Sequence, residues 1–126
     1  MEALNAATFE YLKTRQQFGR PIGSFQALQH RAVDMMIHCE QSRSLSYLAA
    51  VKVQSEDPNE RKRAVSAAKI HVGRSGRTIS QEAVQMHGGM GVTNELIVGH
   101  FAKRLTMINL TLGDLDYHTD RFSSAS

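Results

Sequence analysis

Apolar residues recur at three- and four-residue steps through most of this 126-residue chain, and short polar or glycine-rich breaks divide the pattern into five helical segments. The first covers residues 1 to about 14, with Leu4, Ala7, Tyr11 and Leu12 on one side. Met1 lies directly on its first turn and nothing caps it, the start expected of a helix cut from something longer. Gly19, Pro21 and Gly23 then mark a loop. Ser24 is placed to cap a long helix that runs to about Gln54. This helix carries two apolar stripes: Phe25, Leu28, Ala32, Met35, Met36 and Cys39 on one, Val33, Ile37, Ser44, Leu48 and Val51 on the other. Two stripes predict two packing surfaces, so the helix is expected at the centre of a bundle or at a subunit interface.

Asp57-Pro58-Asn59-Glu60 combines a capping Asp, a proline in the first turn and a Glu three residues after the cap, which together predict a helix start. The helix is expected to reach Met86 or His87, with Val65, Ala68, Val72, Ile79, Ala83 and Met86 as its seam. Gly73 and Gly76 interrupt it at a cost of about 1 kcal/mol each relative to alanine, which close approach of another helix would explain. Beyond a glycine-rich stretch, Thr93 or Asn94 is expected to cap a fourth helix with Val98, Phe101, Leu105, Ile108 and Leu112 as its seam and Gly113 as its end. Asp114 can cap a last short helix through about Phe122, and the Ser-rich tail is expected to fray. No strand, repeat or internal linker is predicted. The fold expected is all-α, a single domain over residues 1–126 built as an antiparallel four-helix-type bundle with a short terminal helix.

Composition agrees with this reading. Two prolines, no tryptophan and only eight aromatics argue against a β-sandwich, and six methionines suit a helical core with irregular gaps. The net charge of +3 is spread along the chain. Its densest run, Arg61-Lys62-Arg63, has no aromatics nearby and reads as a solvated helix face rather than a nucleic-acid surface. The single cysteine, Cys39, falls on an apolar stripe and excludes an internal disulfide. With no membrane-length apolar run and no signal pattern at the amino terminus, the protein is expected to be cytoplasmic, with neither membrane nor nucleic acid as partner.

Candidate chemistry concentrates in two places. Gln85-Met86-His87-Gly88-Gly89-Met90-Gly91 has three glycines in four positions. A helix C-cap accounts for Gly88 but says nothing of Gln85. Arg15-Gln16-Gln17-Phe18-Gly19 sets a phenylalanine among polar residues in a loop. A carboxylate-bridged metal site would need Glu-x-x-His on facing helices, and no Glu here has a His three residues on, so no metal is expected. The glycine turn follows a helix rather than a strand, so it is neither a dinucleotide fingerprint nor a P-loop.

Taken together, these stretches resemble the acyl-CoA dehydrogenase family. Arg15-Gln16-Gln17-Phe18-Gly19, followed by Pro21-Ile22 and Ser24-Phe25-Gln26, is similar to that family's Arg-x-x-Phe-Gly loop. Ala68-Lys69, Gln85-x-x-Gly88-Gly89-x-Gly91 and Glu95 resemble its second signature, in matching order and spacing over nearly the whole chain. The resemblance is to the C-terminal helical domain, which implies that an amino-terminal helical domain and a middle β domain are missing here. It implies a flavoenzyme that oxidises acyl-CoA thioesters to 2,3-enoyl-CoA, a carboxylate taking the α-proton and FAD accepting the β-hydride before an electron acceptor reoxidises it. Arg15 would contact the FAD diphosphate of a neighbouring subunit, Phe18 would pack near the adenosine, Gln26 would join it, and Gln85 with the Gly88-Gly89 backbone would line the same end of the cofactor. The cofactor would then lie across a subunit interface, in a homo- or hetero-oligomer arranged as a dimer of dimers.

One position departs from the family pattern. Many members carry the catalytic base as Glu in a Glu-Gly-Thr segment, which falls here on Leu112-Gly113-Asp114. Leucine cannot abstract a proton, and it is expected to continue the apolar seam. The ending resembles that of small subunits of mixed oligomers, so no catalytic residue is expected within this chain and the chain alone is expected to be inactive. The alternative is a helical scaffold that kept the fold and lost the flavin.

Overall fold

The computed structural model describes residues 1–93 and 95–125. Five helices are present: α1 (Glu2–Thr14), α2 (Gln26–Lys52), α3 (Pro58–His87), α4 (Ile97–Leu110) and α5 (Leu115–Ser123). They form the all-α bundle expected, with short connections. Asp57 caps α3 as anticipated, its Oδ1 accepting from the Asn59 amide at 2.9 Å behind Pro58. Asp114 does the same for α5, accepting from the Tyr117 amide at 2.9 Å.

The helix at the centre is α3, not α2. Every other helix packs on α3, and its buried positions are mostly small: Ser66, Ala68, Gly73, Ser75, Gly76, Ser80 and Ala83. Small side chains let neighbours come close on all sides. At Gly73 a Cβ would collide with the Asn109 side chain of α4, which is the close approach the sequence suggested, whereas at Gly76 a Cβ would meet only Leu105 at an ordinary 3.8 Å. The core joins Leu4 and Leu12 of α1, Met35 and Cys39 of α2, Ile79, Ala83 and Met86 of α3, and Val98 of α4. The second stripe of α2 does not pack within the chain: Val33, Ile37, Leu48 and Val51 are all exposed.

Several local expectations are corrected. The loop after α1 contains a minimal hairpin, β1 (Gln16–Gln17) paired antiparallel with β2 (Arg20–Pro21). Ser24 does not cap α2. It lies in a 3₁₀ turn, its hydroxyl donates to the Pro21 carbonyl at 2.7 Å, and the α2 cap position is Phe25 with no side-chain cap. The helix ends at Lys52, two residues before the expected Gln54. Thr93 closes the turn before α4 by donating to the Met90 carbonyl, while α4 itself starts at Ile97 behind an uncapped Leu96; the alternative cap, Asn94, lies outside the described residues. The carboxyl-terminal segment is docked rather than frayed, since Ala125 is buried and Ser124 accepts from Lys62 Nζ at 2.9 Å. The basic run at the start of α3 is used locally. Arg61 donates to the Ser55 carbonyl at 2.6 Å, and Arg63 lies 5.4 Å from the Phe122 ring centroid.

Candidate functional site

Helix α1 ends at Arg15, whose backbone is extended, so the chain turns into the hairpin with the Arg15 side chain exposed beside it. At the far end of α3 the helix stops at Gly88, which takes φ +59 and ψ −142, a conformation that only glycine adopts without strain. A 3₁₀ turn over Gly88–Val92 follows. These two chain reversals meet. Between them lies an open cleft of about 510 Å³ whose walls include Arg15, Gln85, Gly88 and Gly89, together with Tyr11, Arg31 and His87.

Four of the six sequence-derived binding residues therefore share one cleft. Phe18 and Gln26 do not line it. Phe18 sits at the hairpin tip at φ +55, 90% exposed, its ring edge-on to Phe25 with centroids 6.0 Å apart. Arg20 covers the same Phe25 ring at 4.2 Å. Gln26 is the exposed first residue of α2. A second cleft of about 530 Å³, lined by Leu48, Lys52, Ala67 and Phe122 among others, lies at the opposite end of α2 and α3 and holds none of these residues.

The electrostatics of the site cleft are asymmetric. Arg31 Nε donates to Glu82 Oε2 at 2.5 Å, so its charge is offset by a carboxylate. Arg15 has no side-chain partner among the described residues, nor does Gln85. The cleft thus offers one uncompensated guanidinium fork, one free amide and a stretch of bare glycine backbone. Such a set suits oxygen-rich anions. The Tyr11 and His87 rings stack behind it at 4.2 Å, and His87 Nδ1, bonded to the Ala83 carbonyl at 2.8 Å, must carry the proton of that bond. Sequence reasoning did not single out Tyr11, Arg31 or His87 as site residues. Their convergence depends on how α1, α2 and α3 cross, which no local pattern encodes.

Leu112 is the residue at which the expectation fails most plainly. It does not continue the α4 seam: α4 has ended at Leu110, and Leu112 sits at φ +61 with its side chain 88% exposed. Among the described residues no group of three or more His, Cys, Asp or Glu could hold a metal ion, and no helix is long and apolar enough to cross a membrane.

Residues 1–125 match the family model described as "Acyl-CoA dehydrogenase, C-terminal domain". The chain belongs to the acyl-CoA dehydrogenase family. Acyl-CoA dehydrogenase IpdE2 of Mycobacterium tuberculosis is 37% identical over 97 residues, covering 77% of this chain and 28% of that protein. The ChsE4-ChsE5 complex from Mycobacterium tuberculosis superposes with a TM-score of 0.88 at 32% identity, over 97% of this chain and 33% of the other. The FAD complex of PigA gives a TM-score of 0.87 at 28% identity, over 97% of this chain and 31% of the other. The chain therefore spans about a third or less of the length of this relative and these structural neighbours.

Proposed function

We propose that this chain is the FAD-binding and oligomerisation domain of an acyl-CoA dehydrogenase, acting within a longer chain or a mixed oligomer. The observation that carries the reading is the meeting of Arg15, Gln85 and the Gly88-Gly89 backbone in one cleft. Gly89 tests the fit. A Cβ there would meet nothing within 4 Å, so its bareness has no reason inside the chain, while a diphosphate pressed against the backbone would supply one. Arg15 would bind the diphosphate oxygens through its fork and Gln85 would donate beside it. Phe18, held out from the hairpin tip, would pack against the adenosine from across the interface, with Gln26 near it. When bound, FAD supplies the two-electron acceptor for oxidation of an acyl-CoA thioester, and an external electron acceptor renews it.

The oligomeric part of the proposal rests on α2. Its exposed Val33, Ile37, Leu48 and Val51, each 45–69% exposed, form an apolar face of the kind that marks an interface with another subunit. No carboxylate occupies the family's base position here, because Leu112 stands there. The domain accordingly contributes binding and assembly, and the proton-abstracting group would come from elsewhere in the longer protein or from a partner subunit. The assembly is proposed to work in the cytoplasm.

The visible spectrum tests this. The longer protein carrying the domain is expected to purify with near-stoichiometric flavin, and the 126-residue chain alone to purify colourless. Bleaching on addition of acyl-CoA thioesters would place the base in another segment of the same chain. A spectrum that stays yellow until a second subunit is added would place it in the partner. A longer protein without flavin refutes the proposal.

A further inference from the structure

The turn after α4 is built from parts that the flavin cleft does not use. Leu112 and Gly113 both have positive φ, +61 and +100, and the leucine adopts that conformation with its side chain in solvent. Nothing about the leucine itself favours this, so the turn must be held by its surroundings. Two helices hold it. From α3, Lys69 Nζ donates to the Thr111 carbonyl at 2.7 Å. From α5, His118 Nε2 lies 3.0 Å from the Leu112 carbonyl oxygen.

His118 is 4% exposed, and its bonding fixes its proton. A carbonyl only accepts, so Nε2 carries hydrogen and donates to Leu112. Nδ1 of the neutral ring is then an acceptor, and it lies 3.3 Å from the hydroxyl of Ser66, which is fully buried on α3. The Ser66 oxygen in turn accepts from Arg121 Nη1 at 3.0 Å. The chain of bonds therefore runs in one direction, Arg121 to Ser66 to His118 to the Leu112 carbonyl, and each of these bonds has a donor and an acceptor. The Tyr117 ring closes the turn from the side, edge-on to His118 with centroids 5.0 Å apart. A Cβ on Gly113 would collide with that ring and come within 3.1 Å of His118 Nε2.

We propose that His118 is a positioning residue: through Nε2 it clamps the Leu112 carbonyl, holds the turn in its left-handed conformation, and keeps the side chain at position 112 directed out of the domain. The clamp stands on this chain's geometry alone; its meaning, that position 112 is presented to the acyl-thioester side of the longer enzyme, rests on the dehydrogenase reading. In that reading the buried relay sets the placement of residue 112 independently of which residue occupies it.

The test is nuclear magnetic resonance of the 126-residue chain. The His118 ring nitrogens are expected to show a protonated Nε2 and an acceptor Nδ1, and Leu112 the backbone couplings of positive φ. His118→Ala should lower the ratio of left-handed to other conformers at Leu112 roughly fivefold, the effect of one hydrogen bond of ordinary net strength, while signals from α2 stay in place. His118→Gln carries an amide donor and an acceptor and should restore the population. A ring protonated at Nδ1 instead of Nε2 overturns the proposal. So does a folded His118→Ala chain whose Leu112 keeps its full left-handed population. Should His118→Ala fail to fold, the tautomer in the native chain and the glutamine variant decide the matter. Failure of the dehydrogenase reading would appear separately, as a longer protein without flavin, and would leave these signals unmoved.

Discussion

Of the three glycines in the 88–91 turn, two are held by different constraints within the chain and one by neither, so alanine substitutions should separate them. At Gly91 a Cβ would lie 2.5 Å from the Val84 carbonyl oxygen, 3.0 Å from Val84 Cα and 3.1 Å from His87 Cβ. Two of those atoms are backbone of α3 and cannot swing aside, so Gly91→Ala must displace the turn from the helix. Overpacking of this kind costs about 1–3 kcal/mol. At Gly88 the Cβ has room, but φ is +59 with ψ −142, so Gly88→Ala costs about 1–3 kcal/mol through backbone strain alone. Gly89 has neither constraint: its φ is not positive and nothing lies within 4 Å. Gly89→Ala should change stability by less than about 1 kcal/mol, in the stabilising direction because the unfolded chain loses freedom. A 126-residue domain unfolds with an entropy of roughly 0.26 kcal/mol/K, so 2 kcal/mol corresponds to about 8 °C in Tm. Thermal denaturation of the three variants is expected to place Gly91→Ala and Gly88→Ala about 4–12 °C below the parent and Gly89→Ala at or slightly above it. In the longer protein the order of flavin loss should differ, with Gly89→Ala losing flavin despite its intact fold. Melting of Gly89→Ala as low as Gly91→Ala would refute the argument, as would a Gly91→Ala chain that melts with the parent.

Other substitutions probe single parts. Arg15→Ala should leave the Tm of the chain within about 2 °C, since the side chain is exposed and without a partner among the described residues, yet weaken flavin retention in the longer protein at least roughly tenfold. Arg15→Lys should recover only part of that, because a point charge does not replace a fork. Asp57→Ala removes the side-chain cap of α3 and should lower Tm by about 4 °C, for a loss of about 1 kcal/mol. His71 is half-buried and its Nε2 lies 3.1 Å from the Ser75 hydroxyl. Its pKa is held below the ordinary histidine range, first by burial and then by the nearby charges of His38 and Arg74. A depressed histidine favours the neutral ring in the fold, so its contribution to stability is present above about pH 6.5 and lost as pH falls below that. Melting curves between pH 7.5 and 5 should show that decline, and a His71→Gln chain with the same slope would exclude His71 as its source.

Much of the fold was legible because helix periodicity and capping are local. The Asp57-Pro58 start of α3, its end near His87 and the Asp114 cap all depend on residues within one turn of each other, and the structure has them as read. The errors fall where a competing contact, near or distant in sequence, overrides the signal that was read. Ser24 looks like a cap, but the 3₁₀ turn before α2 takes its hydroxyl for the Pro21 carbonyl. The tail looks frayed by composition, but Lys62 and the α3–α5 packing hold it. The two apolar stripes on α2 left open the centre of the bundle or a subunit interface; the centre went to α3, whose small residues decided it, because what occupies a centre must let others approach. Of the residues that motif spacing singled out, Arg15, Gln85, Gly88 and Gly89 line one cleft. Motif spacing could not locate Tyr11, Arg31 and His87, whose place there comes from the crossing of three helices.

Phe18 and Leu112 allow a last step. They are the two described non-glycine residues with positive φ, at +55 and +61, and they are also the most exposed large apolar side chains, at 90% and 88%. A strained backbone normally persists because the side chain gains something by packing, yet neither of these gains much within its own chain. Phe18 touches one ring edge, and Leu112 is held by its carbonyl rather than by its side chain. Each conformation adds about 1–2 kcal/mol to the cost of folding, with no matching burial of the residue that bears it. The two sites lie at different reversals, one at the hairpin beside the cleft of Arg15 and Gly88 and one after α4, so a single accident of packing does not account for both. A shape that costs the isolated domain stability at two points, each time to hold an apolar side chain outward, is favoured when those side chains are buried by other surfaces. That is the condition the dehydrogenase assembly would provide, with the adenosine of a neighbouring subunit's cofactor against Phe18 and the rest of the enzyme against Leu112.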